Sequence, residues 1–311
     1  MGWAARMQEK RKQTWGITSL TRQRCATAAA RLENCLDHFG LKVAPTSDLD
    51  LMIREVRWLS SFPADPYTPR GAVAADPARA DRAMVLYHQV ERVGFTLQWA
   101  REIDGAEAKA RWVRKRIDRC ATLDSRAQDY LFEMEMVAHM ARWRHARIAF
   151  EEPDIAIYNA DGGRMVFACK RPQRIASVTG ALKDARGQLA AVSGEPVAFI
   201  LLGMDAIFHR GNGDEGLIVT HKAPTPEALE RLGQEHISRV ETRAANEISR
   251  IFEASADTAA IIFCGMLVGT SDDPPAVLFF WVHRARPNPH QPLAERVARA
   301  TMRMIFPPKA V

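Results

Sequence analysis

Along the first part of the chain, apolar residues return at three- and four-residue steps, the period of one helix face. Cys25, Ala28, Ala29, Leu32, Cys35, Leu36 and Phe39 form one such stripe, which stops at Gly40. Met52, Val56 and Leu59 predict a second helix over residues 47–62, and Pro63, Pro66 and Pro69 break it. The Pro-, Gly- and Ala-rich stretch up to Asp76 reads as a loop or linker. Helices are expected again over 77–102 (Met84, Tyr87, Val90, Gly94, Leu97) and over 106–122 (Val113, Ile117, Cys120).

The period changes near Leu123. Asp124 or Ser125 is placed to cap a helix running to Trp143. From Ile148 the runs are short and β-rich, and residues 155–158 and 165–170 flank Asp161-Gly162-Gly163, a hairpin signal. A helix is expected over 177–192 and a strand over 197–202. A long helix over 225–253 is opened by Pro226, with Glu227 in its first turn. Residues 259–268 and 276–282 are apolar enough for buried strands, and a helix over 293–305 follows. The expected fold class is therefore α/β in two parts. A helical domain spans 1–122, for recognition, dimerisation or partner docking, and an α/β domain spans 123–311.

Composition narrows this picture modestly. With 47% hydrophobic residues in 311, the chain reads as soluble and globular. Its longest nearly apolar run, 258–269, is too short for a bilayer. The first residues lack the apolar stretch of a signal peptide, and Arg6 stands where myristoylation requires Ser or Thr. A cytoplasmic protein without a membrane partner is expected. Five cysteines (Cys25, Cys35, Cys120, Cys169, Cys264) show no CxxC spacing, which argues for reduced, buried thiols rather than zinc or disulfides. The net charge of +6 tilts the chain toward polyanions.

The candidate chemistry lies on the hairpin. Alternate strand residues share a face, so Asp154 faces with Glu152 and Ala156, and Lys170 with Ala168 and Val166. Two adjacent strands then present Asp154, position 168 and Lys170 together at one end of a sheet. A phosphodiesterase needs such a grouping: hard oxygen ligands hold Mg²⁺ or Mn²⁺, which activates a water, while an ammonium stabilises developing charge. Glu133 and Glu135 stand on the preceding helix and Gln188 on the following one.

Phe132-Glu133, Pro153-Asp154, Ala168-Cys169-Lys170-Arg171-Pro172 and Gln188-Leu189, in this order, resemble the PD-(D/E)XK superfamily of restriction-endonuclease-like nucleases. The Cys-Lys-Arg-Pro run resembles the "ECKRP" variant of some bacterial members. The resemblance covers roughly residues 123–205 and implies a restriction-endonuclease-like α/β core with a mixed central sheet. It implies a Mg²⁺- or Mn²⁺-dependent endonuclease, acting on DNA before RNA, with defence or nucleic-acid processing as its setting. Asp154 would be the central metal ligand, Lys170 the motif lysine, Glu133 the helix carboxylate (Glu135 the alternative), and Gln188 an accessory residue. Ala168 departs from the family, which has Glu or Asp there. That change predicts weak metal binding and impaired activity. Three origins stay open: an acid deliberately replaced, a natural pseudonuclease that binds nucleic acid or protein without cutting, or an acid that has moved, for instance to Glu152.

Basic residues add weak support. Lys109, Arg111, Arg114, Lys115, Arg116 and Arg119 crowd one helix, and Arg142, Arg144, His145 and Arg147 precede the hairpin. Arg114, Lys115, Arg144 and Arg171 are the expected phosphate contacts. Glu135 and His139, four residues apart, lack the HExxH pattern and read as helix-surface residues. The His209–Asp214 loop lacks a phosphate cradle and reads as a turn, and no G-x-S-x-G elbow points to acyl transfer.

Overall fold

The computed structural model describes residues 22–62, 70–101, 103, 126–141, 147–159, 162–194, 196–209, 221–222, 225–254, 257–272 and 275–306. The expected helices over 47–62 and 77–102 are present as α2 (Asp48–Ser60) and α4 (Pro77–Ala100), after α1 (Arg22–His38). Both starts are capped: the Ser47 hydroxyl accepts from the Asp50 amide at 3.2 Å, and the Asp76 carboxylate from the Arg79 amide at 3.0 Å. The expected 63–76 loop is corrected by a short helix, α3 (Arg70–Ala75). Its small residues explain it, since Ala72 is fully buried in the helical core and Gly71 lies close against Phe62. The expected helix over 106–122 falls outside the described residues.

The second part is mixed α/β. Helix α5 (Arg126–Ala141) precedes a three-strand meander, β1 (Arg147–Ala149), β2 (Ile155–Tyr158) and β3 (Arg164–Lys170). Helix α6 (Val178–Ala190) then crosses to β4 (Val197–Gly203), which lies parallel to β3. After α7 (Asp205–His209), β5 (His221–Lys222) and the long α8 (Pro226–Ala254) come β6 (Thr258–Asp272), β7 (Pro275–Pro287) and α9 (Ala294–Ile305). The seven-stranded sheet runs β1-β2-β3-β4-β6-β5, with β7 also on β6. β6 and β7 extend beyond the expected 259–268 and 276–282 because they pair antiparallel from Ala260–Pro287 to Asp272–Pro275.

Helices cover both sheet faces, giving three layers. Ala168, Ile200, Ile261 and Phe263 pack with α6 and α8 on one side. Phe167, Cys169, Phe199, Leu201 and Ile262 pack with α5 and α9 on the other. Gly265 permits the tight turn after β4: a Cβ there would come within 2.9 Å of the Asp205 amide nitrogen.

The helical layer is continuous with the sheet layer. Its apolar cluster takes in Leu131 and Met134 of α5 and Met266 and Val268 of β6. Within this junction the Arg92 guanidinium donates to both Glu135 oxygens at 2.6–2.9 Å and to Asp205 at 2.8 Å. All three side chains are about 3% exposed. Removing one member of such a cluster strands the others without compensation, at a cost of about 3–5 kcal/mol. Arg92→Met is expected to lower unfolding stability by that amount in urea titrations, far more than Arg299→Met, whose exposed partner Glu295 is solvated.

Candidate functional site

Strand alternation sets the site. Phe167 and Cys169 point to the α5 side and Ala168 to the α6 side, so Lys170 shares Ala168's face. Asp154 stands one residue before β2, in extension of the pair Ala156–Val166. Its Oδ2 accepts the Cys169 amide at 2.7 Å and lies 3.8 Å from Lys170 Nζ. Nζ also donates to the Cys169 carbonyl at 3.2 Å. The two charged side chains are 13% and 19% exposed, an ion pair at the rim of the sheet. Asp154, position 168 and Lys170 thus come together as expected.

Position 168 has no exposure and packs in the cluster with Val178, Leu182, Ala185, Ile200 and Leu202. As it stands, the residue offers a methyl group where the resemblance implies a carboxylate. Divalent cations such as Mg²⁺ and Ca²⁺ are held by several oxygen ligands. Among the described residues, no group of three or more His, Cys, Asp and Glu is able to hold a metal ion. The described residues therefore do not fit the Mg²⁺ or Mn²⁺ that the resemblance implies.

The other expected site residues are more dispersed. Glu133 is half-buried on α5. One turn earlier, Asp129 lies 3.5 Å from both Arg171 and Gln173, the residues that follow Lys170. Gln188 sits near the end of α6, where the next residue, Leu189, packs over Ala156, Val166 and Ala198. Its buried Oε1 makes no hydrogen bond to a described residue. Glu152 is exposed. Arg114, Lys115 and Arg144 lie outside the described residues.

Three expectations are corrected. Arg171 has no exposed side-chain surface; it faces Asp129 and Asp205 and is out of reach of a phosphate backbone. Glu135 is not a surface or metal carboxylate, because Arg92 occupies both of its oxygens. His139 is likewise buried, packed among Phe95, Trp281 and Phe306. Helix α5 is enclosed between α4 and the sheet, so it has little solvent face to give.

The polar centre that sequence reasoning missed is the junction of Arg92, Glu135, Asp205 and Arg171. Asp205 also accepts the Met266 amide at 2.6 Å, and His209 bonds the Met266 carbonyl at 2.7 Å. Burial opposes charge on Asp205, but Arg92, Arg171 and the Met266 amide together hold it below the usual carboxylate range. Burial and then Arg92 push His88 down to about 3, leaving it neutral. The only local signal was a charge set inside an apolar run, such as Glu135 between Met134 and Met136. Its partner 43 residues away is not readable from either position.

Compared with models of protein families, with curated proteins and with solved structures, the chain matches none.

A depressed aspartate stabilises the fold fully above its unfolded pKa, near 3.9, and loses that contribution as pH falls through the lower folded value. Urea unfolding between pH 3 and 7 is expected to show stability falling below about pH 4. Asp205→Asn should remove part of that acid slope and be less stable at pH 7.

Proposed function

We propose that the chain carries a nuclease scaffold of the PD-(D/E)XK type that lacks its acid at position 168. In this form it holds nucleic acid, DNA before RNA, without cutting it. The observation that carries this reading is the Asp154–Lys170 pair, 3.8 Å apart on neighbouring strands, with Ala168 on the same face. The order of elements supports it: a helix bearing Glu133, a turn bringing Asp154 into β2, β3 ending at Lys170, and a helix bearing Gln188. These sit in a mixed sheet with helices on both faces, consistent with a restriction-endonuclease-like core.

The chemistry follows from what is present and what is missing. Lys170 offers an ammonium at a largely buried rim with partial solvent contact, suited to a phosphate oxygen. The net charge of +6 favours encounter with a polyanion. Asp154 supplies a single carboxylate, and the Cys169 amide already binds one of its oxygens. That last contact favours a second reading, a non-catalytic module that uses the same rim only for binding nucleic acid or a partner protein.

Supercoiled plasmid and single-stranded DNA, incubated with Mg²⁺ or Mn²⁺, separate the two. This chain is expected to bind with strong salt dependence and to leave both substrates intact. Ala168→Glu or Ala168→Asp, once shown to be folded by circular dichroism, is expected to cut only with metal, and Asp154→Asn in that background to abolish cutting. Binding without cutting by every form supports the second reading. Absence of both binding and cutting refutes the proposal.

A further inference from the structure

Helix α9 carries two apolar faces. Ala294, Ala298, Thr301 and Ile305 are buried. Leu293, at the N-cap, with Val297, Ala300 and Met304 lines a second stripe, about 100° round the helix. Their spacing of four, three and four residues is that of a coiled-coil seam. Met165, near the start of β3, lines the same cleft of about 480 Å³, and Val197 of β4 pairs with Met165 in parallel register. Leu293 is 63% exposed and Val197 38%, the large apolar side chains most open to solvent among the described residues. Singly exposed apolar residues are ordinary, but their concentration around one cleft marks a surface made for contact.

Charge decides what this surface takes. Arg296 and Arg303 hold the flanking position just outside the seam, where charged residues set the choice of partner. Both are exposed, and neither makes a hydrogen bond or ion pair with a described residue. Glu295, the one acid of α9, is bonded to Arg299 within the helix. The opposite flank is Ala294 and Thr301, both buried. A second copy of α9 laid antiparallel on the seam would set arginine against arginine. Laid parallel, it would set them against those uncharged, buried side chains. A helix with an acidic flank satisfies both arginines.

We propose that the groove between α9 and the start of β3 and β4 docks an amphipathic helix of a partner protein. Its apolar seam lies along Leu293, Val297, Ala300 and Met304, and its acidic flank pairs with Arg296 and Arg303. The stripe is long enough for the anchors at three- and four-residue steps by which a helix sits in a groove. This goes beyond the nuclease reading and does not depend on it. Lys170 ends β3 on the opposite face from Met165 and about 17 Å along the strand, so a docked helix leaves the Asp154–Lys170 rim uncovered.

The test is fluorescence anisotropy of the full chain with a labelled peptide of about 18 residues, Leu at its a and d positions and Glu at e and g. The control is the same peptide with Lys in place of every Glu. The unaltered chain is expected to prefer the Glu peptide by about 10-fold at low salt, and by less at high salt. Leu293→Ser, at an exposed position, should weaken that binding about 10-fold. Arg296→Glu combined with Arg303→Glu should invert the preference toward the Lys peptide, a result that a misfolded variant does not give. Equal affinity for the two peptides, binding of neither, or a preference that the double reversal leaves unchanged overturns the proposal. A dimer in sedimentation that L293S dissociates also overturns it, since the groove then takes a second copy. Capture by phosphatidylserine vesicles with neither peptide bound does so as well, and gives the groove to a lipid surface.

Discussion

The constraint on which the candidate site depends is the register of β3, held antiparallel by β2 on one edge and parallel by β4 on the other. A strand alternates faces every residue, so a slip of one position would turn Ala168 and Lys170 into the α5 layer. Nothing so small is tolerated, because Phe167 stacks on Phe199 on that side, with ring centres 5.0 Å apart. Apolar packing on both faces of β3 thereby fixes where a single ammonium emerges, at the strand's end beside Asp154. The Asp154–Lys170 rim is a by-product of core packing, and position 168 lies inside that core.

Two groups of charges in this protein obey opposite rules. Arg92, Glu135 and Asp205 are removed from water and survive by satisfying one another, tying the helical layer to the sheet. Asp154 and Lys170 keep partial solvent contact and a longer separation. Burial, more than charge count, separates a structural network from a candidate site. Arg171 illustrates the point. It directly follows Lys170 in the sequence, yet its side chain turns inward to Asp129 and Asp205.

Much of this architecture was legible from periodicity. Stripes such as Cys25–Leu36 and alternations such as Ile155–Tyr158 each have one dominant physical cause, burial of one face, and their elements appear within a few residues of expectation. The grouping of Asp154 with position 168 and Lys170 was legible for the same reason. Long-range pairing was not. Glu135 read as a surface charge because its partner, Arg92, belongs to another layer, and His139 because its aromatic neighbours come from α4, β7 and the residue after α9. The short helix over Arg70–Ala75 was hidden by three nearby prolines, whose local signal outweighs the docking of two small residues.

The proposed nuclease scaffold would have a metal-ligating acid at position 168, on the face of Lys170 beside Asp154. Titrating Mn²⁺ into the folded protein by calorimetry tests it without relying on a substrate. This chain is expected to show no specific uptake, whereas Ala168→Glu should create one site that Asp154→Asn removes. Specific Mn²⁺ binding by this chain that is lost with Asp154→Asn would contradict the account, because the face would then be complete without an acid at position 168.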